Sequence, residues 1–543
     1  MARFLLALVP ALLLAQVAPA QAPDTEPLRD RIEQLRADPE TPIAGVRLAA
    51  SRLVAQLYER HGFAPEWGAT TADQLARAID ACADDGLDPE DYLRTPLAQA
   101  RSAAAAANAP PDARIDLDLL QTEALARLLY HLILGKVDPA SFDPNWNLSR
   151  RLHLGDPAAF VQEIIDSGDQ LAARVEAQKP PQAFYRNLRA AYAHLREAAA
   201  AGGWKPVPGG PTLKPGVTDS RVPVLRARLA ADGDLDPNAA AAGGDVFDPA
   251  LEAGVRAFQA RHGLAVDGSA GAGTLAELNV PIAARLSQLR VNLERARWVL
   301  HDLPPEFVLV NVAGFEVYYL RDDGVAWRAR AQVGKPYRAS PIFRAQMSYL
   351  VLNPTWTVPP GIFRADILPA QRRDPNTLAR KGLEVVDAQG SVVPASSIDW
   401  ATVTPGNFRY QLRQPAGPTN ALGRVKFMFP NKHSVYLHDT PSKDLFDRSD
   451  RAFSSGCIRV ENPLELAAIL LAPQPGWDRA AIDAAIAAGK TRTVTLQKKV
   501  PVLILYWTAW VDRDGALQLR RDLYGRDAKV AAGLAQPFRI RPR

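Results

Sequence analysis

Phe307-Val308-Leu309-Val310-Asn311-Val312, followed closely by Phe315-Glu316-Val317-Tyr318-Tyr319-Leu320, is where the 543-residue chain changes texture from helix to strand. Both runs are rich in β-branched and aromatic residues, and Pro304-Pro305 stands before them as a breaker. Arg321-Asp322-Asp323-Gly324 is a hairpin signal leading into Val325-Ala326-Trp327. Further strands are expected at 347–352, 424–429, 434–438 and 502–511, with Asp512-Arg513-Asp514-Gly515 as a second hairpin turn. Several short strands divided by turns predict a β-rich, sandwich-like domain over 304–543. Residues 364–412 interrupt it with Pro369, Pro375, Gly382, Gly390 and Pro394. A connection that long predicts a lid or binding flap.

Upstream the pattern is helical. From 23 to 210 Ala, Leu, Arg and Glu recur at helical spacing, as in Leu119-Leu120, Ala124, Leu128-Leu129 and Leu132, which predicts an all-α scaffold. Pro206-Val207-Pro208-Gly209-Gly210-Pro211 punctuates the chain, and a small helical module follows over 215–280. In it Leu225 and Leu229 share one helix, Leu251, Val255, Phe258 and His262 a second, and Leu275 and Leu278 a third after the turn Val266-Asp267-Gly268. Leu286, Leu289, Leu293 and Leu300 then mark a returning helix over 281–303, so the module is read as an insertion in the helical region. The whole is a multidomain α+β chain.

Composition bounds the partners. Met1-Ala2-Arg3 and the apolar run that follows have the shape of an export signal over 1–22, with Ala18-Pro19-Ala20 and Ala20-Gln21-Ala22 as small-x-small cleavage patterns. The expected location is the periplasm, with an inner-membrane anchor if the signal is uncleaved. A net charge of +5 without any Lys/Arg block interleaved with aromatics does not indicate a nucleic-acid binder. It is compatible with an anionic wall polymer.

Two cysteines make at most one disulfide. Cys82 lies on a helical stripe with Leu75 and Ile79 and reads as a small core hydrophobe. Cys457 lies in Ser454-Ser455-Gly456-Cys457-Ile458-Arg459-Val460, a Gly/Ser turn, and is the candidate nucleophile. In Ser434-Val435-Tyr436-Leu437-His438 the strand period places Val435 and Leu437 on one face and Tyr436 and His438 on the other. His438 is therefore the candidate general acid/base, and the loop after it can fold back toward Cys457. A backbone carbonyl can orient the imidazole, since Asp439 points away by alternation. Gly456 permits close approach, and the N–H groups near Gly456 and Cys457 are candidate oxyanion donors, that of Gly456 foremost. Asn462-Pro463-Leu464-Glu465 reads as an N-cap, a first-turn Pro and a capping-box Glu.

His438-Asp439-Thr440 with the Ser-Ser-Gly-Cys-Ile-Arg-Val stretch resembles the L,D-transpeptidase (YkuD) catalytic motif. The run 414–431, Asn353 to Pro360 and Tyr506 to Val511 are similar to the large YcbB-like subgroup, in which Ser455 stands where other members carry a histidine. Phe258-Gln259, Gly263-Leu264 and Asp267-Gly268 with Gly271 and Thr274 resemble the three-helix peptidoglycan-binding domain. The resemblance implies that Cys457 attacks the bond between diaminopimelate and the terminal D-Ala of a tetrapeptide stem. The stem is then held as a thioester and passed to a second stem's diaminopimelate amine. It also implies acylation by carbapenems, no cofactor and no metal. Arg459 matches a family arginine able to grip a substrate carboxylate or to form a structural ion pair. Tyr436, Ser455 and Trp356 are candidate substrate-lining residues, Trp356 equally a packing residue.

A zinc site at Cys457 and His438 has only His433 nearby as a third ligand, on the opposite strand face. Ser454 and Ser455 lack the Gly-x-Ser-x-Gly elbow of a serine hydrolase. Water in place of the amine would make an L,D-carboxypeptidase, and a protein amine would make a wall-attachment enzyme. A non-catalytic wall-binding scaffold stands as the alternative outside enzymes.

Overall fold

The computed structural model describes residues 25–148, 155–322 and 324–540. The expected export signal lies outside them, as does Asp323 of the first hairpin turn. Among the described residues no helix is long and apolar enough to cross a membrane.

The chain divides into two compact units. The first lies within Met1–Arg77, Tyr92–Arg127 and Leu154–Arg174 and is helical. Helix Glu26–Ala37 buries Leu28, Ile32 and Leu35, spaced for one face, and helix Ser51–Arg60 buries Val54, Leu57 and Tyr58. The buried Asp118 carboxylate accepts the Tyr58 hydroxyl and the Glu66 and Trp67 amides, so this polar group is satisfied inside an apolar core.

The second unit holds Ala78–Asp91, Leu128–His153 and everything from Val175 on. The helical region expected as one domain over 23–210 is thus shared between the two units. The reason is packing: Tyr185, Leu188 and Tyr192 of helix Ala183–Ala200 join Leu289, Leu293 and Ala296 of the returning helix Ile282–Val299 in the same apolar core as the β-sheet. Arg297 is fully buried in that contact, salt-bridged to Glu294 and donating to the Asp85 carbonyl and the Tyr185 hydroxyl.

The small module has its own core of Leu225, Leu229, Leu251, Val255, Phe258, Leu275 and Leu278. The Gln259 side-chain amide donates to Asp267, Ser269 and Thr274 and its oxygen accepts the Gly268 amide, so one glutamine closes the Asp-Gly turn. Beyond the three expected helices, a short one at Pro237–Ala242 is capped by Asp236.

The strands of the C-terminal domain are β1 (Glu306–Asn311), β2 (Glu316–Arg321), β3 (Gly324–Gly334), β4 (Phe343–Leu352), β5 (Trp356–Thr357), β6 (Glu384–Val386), β7 (Val392–Val393), β8 (Gln411–Gln414), β9 (Val425–Met428), β10 (Leu437–His438), β11 (Ala452–Ser454), β12 (Ile458–Val460), β13 (Arg492–Leu505), β14 (Ala509–Val511) and β15 (Leu517–Leu519). Among the described residues nine of them form one mixed sheet in the order β11-β3-β12-β10-β9-β4-β13-β1-β2. The long β3 also pairs with β2, so the sheet curls until its two ends share a strand. The strand expected over 502–511 breaks at 506–508, where the Trp507 amide donates to Asn311 Oδ1 and the Thr508 amide to Asn292 Oδ1 instead of to a neighbouring strand. Of 434–438 only Leu437 and His438 are in the ladder, because Ser434 takes a left-handed turn at φ +54 and Asn431 holds the Val435 carbonyl.

The insertion expected over 364–412 begins earlier. β5, β8, β6 and β7 form a separate small sheet, and Val358, Phe363, Ile367, Leu378, Val385 and Leu412 give it a core of its own. Its helical arm runs Pro360–Ile362, Phe363–Ile367 and Leu368–Arg373, and the middle stretch is π-helical. Pro369 explains this: it cannot donate and crowds the preceding turn, and the wider i→i+5 register, seen in the Leu368 amide bond to the Phe363 carbonyl, relieves it.

Candidate active site

The parallel pair β10–β12 sets the geometry. Leu437 lies opposite Ile458 and His438 opposite Arg459; the Ile458 amide donates to the Tyr436 carbonyl at 3.2 Å, so the same register puts Tyr436 opposite Cys457. Residues opposite each other in a parallel pair point to one face. Leu437 and Ile458 enter the core, while Tyr436, His438, Cys457 and Arg459 share the other face, with Cys457 and His438 as diagonal neighbours. The Tyr436 and His438 rings meet edge-on at 5.6 Å between centroids. Both cysteines are free: Cys82 is buried, with its thiol pushed up by burial and by Asp85, and Cys457 is half-buried.

His438 is 4 % exposed, and its Nδ1 bonds the Asp439 carbonyl. A carbonyl only accepts, so Nδ1 carries the proton and Nε2 keeps its lone pair. Burial, then the positive fields of Arg459 and Lys426, pull the imidazole down to about 3, so it is neutral across ordinary pH. The Asp439 carboxylate is turned away, as alternation requires. It pairs with Lys443 and accepts the Arg424 amide at 2.9 Å, and despite its burial these bonds keep it below the usual carboxylate range.

Burial raises the Cys457 thiol above its ordinary value, opposed by the neighbouring Tyr436 and by the charges of Lys426 and Arg459; the thiol itself donates to the Ser434 carbonyl at 3.8 Å. The resting pair is therefore a neutral thiol and a neutral imidazole. Trp356 packs against the core of the inserted subdomain and lies beside the Tyr436 hydroxyl, so it stands between the nucleophile's neighbour and the lid.

Two expectations are corrected, and of the two readings of Arg459 the ion pair is not found among the described residues. The Gly456 N–H is not free for an oxyanion: it donates to Ser454 Oγ at 3.1 Å, and that hydroxyl in turn donates to the Cys457 carbonyl at 2.5 Å. What remains is the adjacent Cys457 N–H, which makes no hydrogen bond among the described residues. Asn462 takes a left-handed conformation at φ +47 without capping the helix Pro463–Leu471, and Glu465 accepts the Trp327 indole at 3.0 Å instead of closing a capping box. Arg459 forms no ion pair among the described residues; it donates to Gln332 Oε1 at 3.1 Å and its buried Nε has no acceptor.

Ser455 is exposed and accepts from Arg338 at 2.9 Å, while Arg338 pairs with Asp366 of the inserted subdomain. His433 packs against Phe343 at 4.8 Å between ring centroids, away from the shared face. Lys426 is the residue that the motifs did not single out. It pairs across β9–β10 with His438, and its ammonium lies 4.0 Å over the Tyr436 ring. The signal was the alternation in Val425-Lys426-Phe427-Met428, which turns Lys426 to the His438 face.

Comparison with known proteins gives three family matches: an L,D-transpeptidase catalytic domain (YkuD) over residues 305–502, a scaffold domain over 52–191, and a "Putative peptidoglycan binding domain" over 218–278. A "Putative L,D-transpeptidase" of Haemophilus influenzae is 36% identical over 246 residues, which are 45% of this chain and 48% of that one. The chain thus spans about half the length of this curated relative. Among solved structures, an L,D-transpeptidase from Xylanimonas cellulosilytica is 15% identical, with 55% of this chain and 99% of that one covered, at a TM-score of 0.18. The avibactam carbamoyl enzyme of Ldtfm is 12% identical, with 40% and 62% covered, at the same TM-score of 0.18.

Proposed function

We propose that this chain, which carries an L,D-transpeptidase (YkuD) catalytic domain together with a scaffold domain and a peptidoglycan-binding domain, cross-links two diaminopimelate residues of peptidoglycan through a thioester on Cys457. The carrying observation is the shared sheet face: a thiol and a neutral, Nδ1-protonated imidazole stand as diagonal neighbours on adjacent strands. His438 Nε2 takes the thiol proton as sulfur attacks the carbonyl between diaminopimelate and the terminal D-Ala. The oxyanion forms beside the Cys457 N–H. As the tetrahedral centre collapses, the C–N bond breaks and His438 returns its proton to the departing D-Ala amine. An amine of a second stem then attacks the thioester, loses a proton through His438, and restores the thiol.

Tyr436 and Trp356 line the donor side of the thiol, Ser455 its rim, and Arg459 faces the peptide. The site needs no cofactor or metal for these steps. The peptidoglycan-binding module and the sequence's export signal support a periplasmic wall substrate, and carbapenems are the expected covalent inhibitors at Cys457. The test is incubation of purified protein with disaccharide tetrapeptide. D-Ala release with dimeric muropeptides supports transpeptidation, whereas tripeptide alone assigns an L,D-carboxypeptidase. No D-Ala release would leave a wall-binding scaffold.

A further inference from the structure

Among the described residues, fully buried arginines are matched by carboxylates, Arg226 by Asp248, Arg228 by Asp232, Arg261 by Asp232 and Asp234, and Arg297 by Glu294, whereas the half-buried Arg451 and Arg520 donate to backbone carbonyls instead. On the face around Cys457 two half-buried cations have neither kind of acceptor among the described residues. The register Lys426↔His438, His438↔Arg459 and Arg459↔Gln332 places two cations in one row, one on each side of the base. Among the described residues neither Lys426 nor Arg459 has a carboxylate within ion-pair distance. Lys426 has only the Tyr436 ring beneath its ammonium, at 4.0 Å, and Arg459 has only the neutral Gln332, with its Nε buried and unpartnered.

Two half-buried cations in one row across the sheet thus lack a carboxylate partner among the described residues, and Arg459 lies on the same face as Cys457, two residues along its strand. Such an arrangement is stable in use only if an anion arrives with the ligand. We propose that Lys426 and Arg459 form a two-cation cradle that holds a carboxylate of the donor peptide beside Cys457, with Lys426 as a specificity-determining residue. The inference rests on the transpeptidase reading for the identity of the peptide, whose two candidate carboxylates are those of the departing D-Ala and of the free end of diaminopimelate. Lys426 would act as a point charge and Arg459 as a planar fork. Filling the cradle also cancels the two positive fields that oppose protonation of His438, so donor binding and proton transfer are linked.

Alkylation of Cys457 tests the cradle without any peptide. Iodoacetate and iodoacetamide both lose iodide to the thiolate and differ in carrying a carboxylate or an amide. The iodoacetate-to-iodoacetamide rate ratio in the full chain is expected to fall about tenfold in Lys426→Met, the order expected for losing one charge at close range. It should fall likewise in Arg459→Met and be kept in Lys426→Arg. Labelling of the buried Cys82 reports any variant that has unfolded. An unchanged ratio in folded Lys426→Met overturns the cradle. With tetrapeptide donors, Lys426→Met is expected to raise KM. Amidating the carboxylate that Lys426 holds makes parent and variant alike, so D-Ala amide and diaminopimelate amide donors tell the two sources apart. If neither amide removes the difference, no peptide carboxylate occupies the cradle and the proposal fails. A parent that keeps the alkylation ratio but releases no D-Ala contradicts the transpeptidase reading and not the cradle.

Discussion

Gly456 sits at φ +114, a conformation that costs a residue with a side chain on the order of 1–3 kcal/mol. A Cβ there would meet nothing closer than 3.8 Å, so the demand on glycine is conformational and not a matter of space. Gly456→Ala is therefore expected to fold with a loss of stability in that range and to lose activity by more, because the strain falls on the thiol's own turn; equal loss of both would contradict this. His438→Gln is expected to lower kcat about 10²–10⁴-fold, the usual contribution of a general base, as read from D-Ala release. The protonation states predict an unusual pH profile. A base held neutral down to about 3 stays competent through the range where a free histidine titrates, near ~6.5. A thiol pushed up by burial makes iodoacetamide labelling climb above ~8.5. An inflection near pH 6.5 in the labelling rate would show that the imidazole is not as described.

At the scale of elements, the inserted subdomain has its own core and is tied to the cysteine turn through Asp366, Arg338 and Ser455. The ion pair is partly exposed, so Arg338→Ala should change global stability by at most about 1 kcal/mol. Amide exchange over 356–414 should nevertheless quicken; unchanged exchange there would show that the pair does not hold the lid. Sequence legibility follows what is local. Strand alternation alone placed Tyr436 and His438 on one face and sent the Asp439 side chain away, since those depend on neighbouring residues of one strand. The Gly456 amide was misassigned because its partner is set by the rotamer of Ser454. The capping box at Asn462 failed because Trp327, 138 residues away, takes the Glu465 carboxylate. Lys426 escaped notice because its importance lies in the β9–β10–β12 register, a pairing of segments that no short motif contains.

On the scale of the whole molecule, two buried histidines in separate cores bear on acid stability. His262 stacks on Phe258 at 3.9 Å between ring centroids and donates Nδ1–H to Glu277 at 2.9 Å, and burial pulls it, like His438, down to about 3. With unfolded values near ~6.5, these two groups bind more protons in the unfolded chain between about pH 3 and 6.5, so their contribution to stability rises with pH across that window and levels off above it, against the opposite contribution of the carboxyls that burial raises, Asp118, Asp234 and Asp527. Glu277, lowered to about 2 against its burial by His262 and Arg285, adds the same sign below its unfolded value. His262→Gln is expected to lower the slope of the urea midpoint between pH 4 and 6.5; a slope that the substitution leaves unchanged would contradict the buried neutral state. The direct test of the central claim is intact-protein mass after mixing with disaccharide tetrapeptide, with the adduct mapped by peptide digestion. The account predicts a gain equal to the donor less D-Ala, located on Cys457 and absent from Cys457→Ala. Release of D-Ala by Cys457→Ala at the parent rate would contradict it.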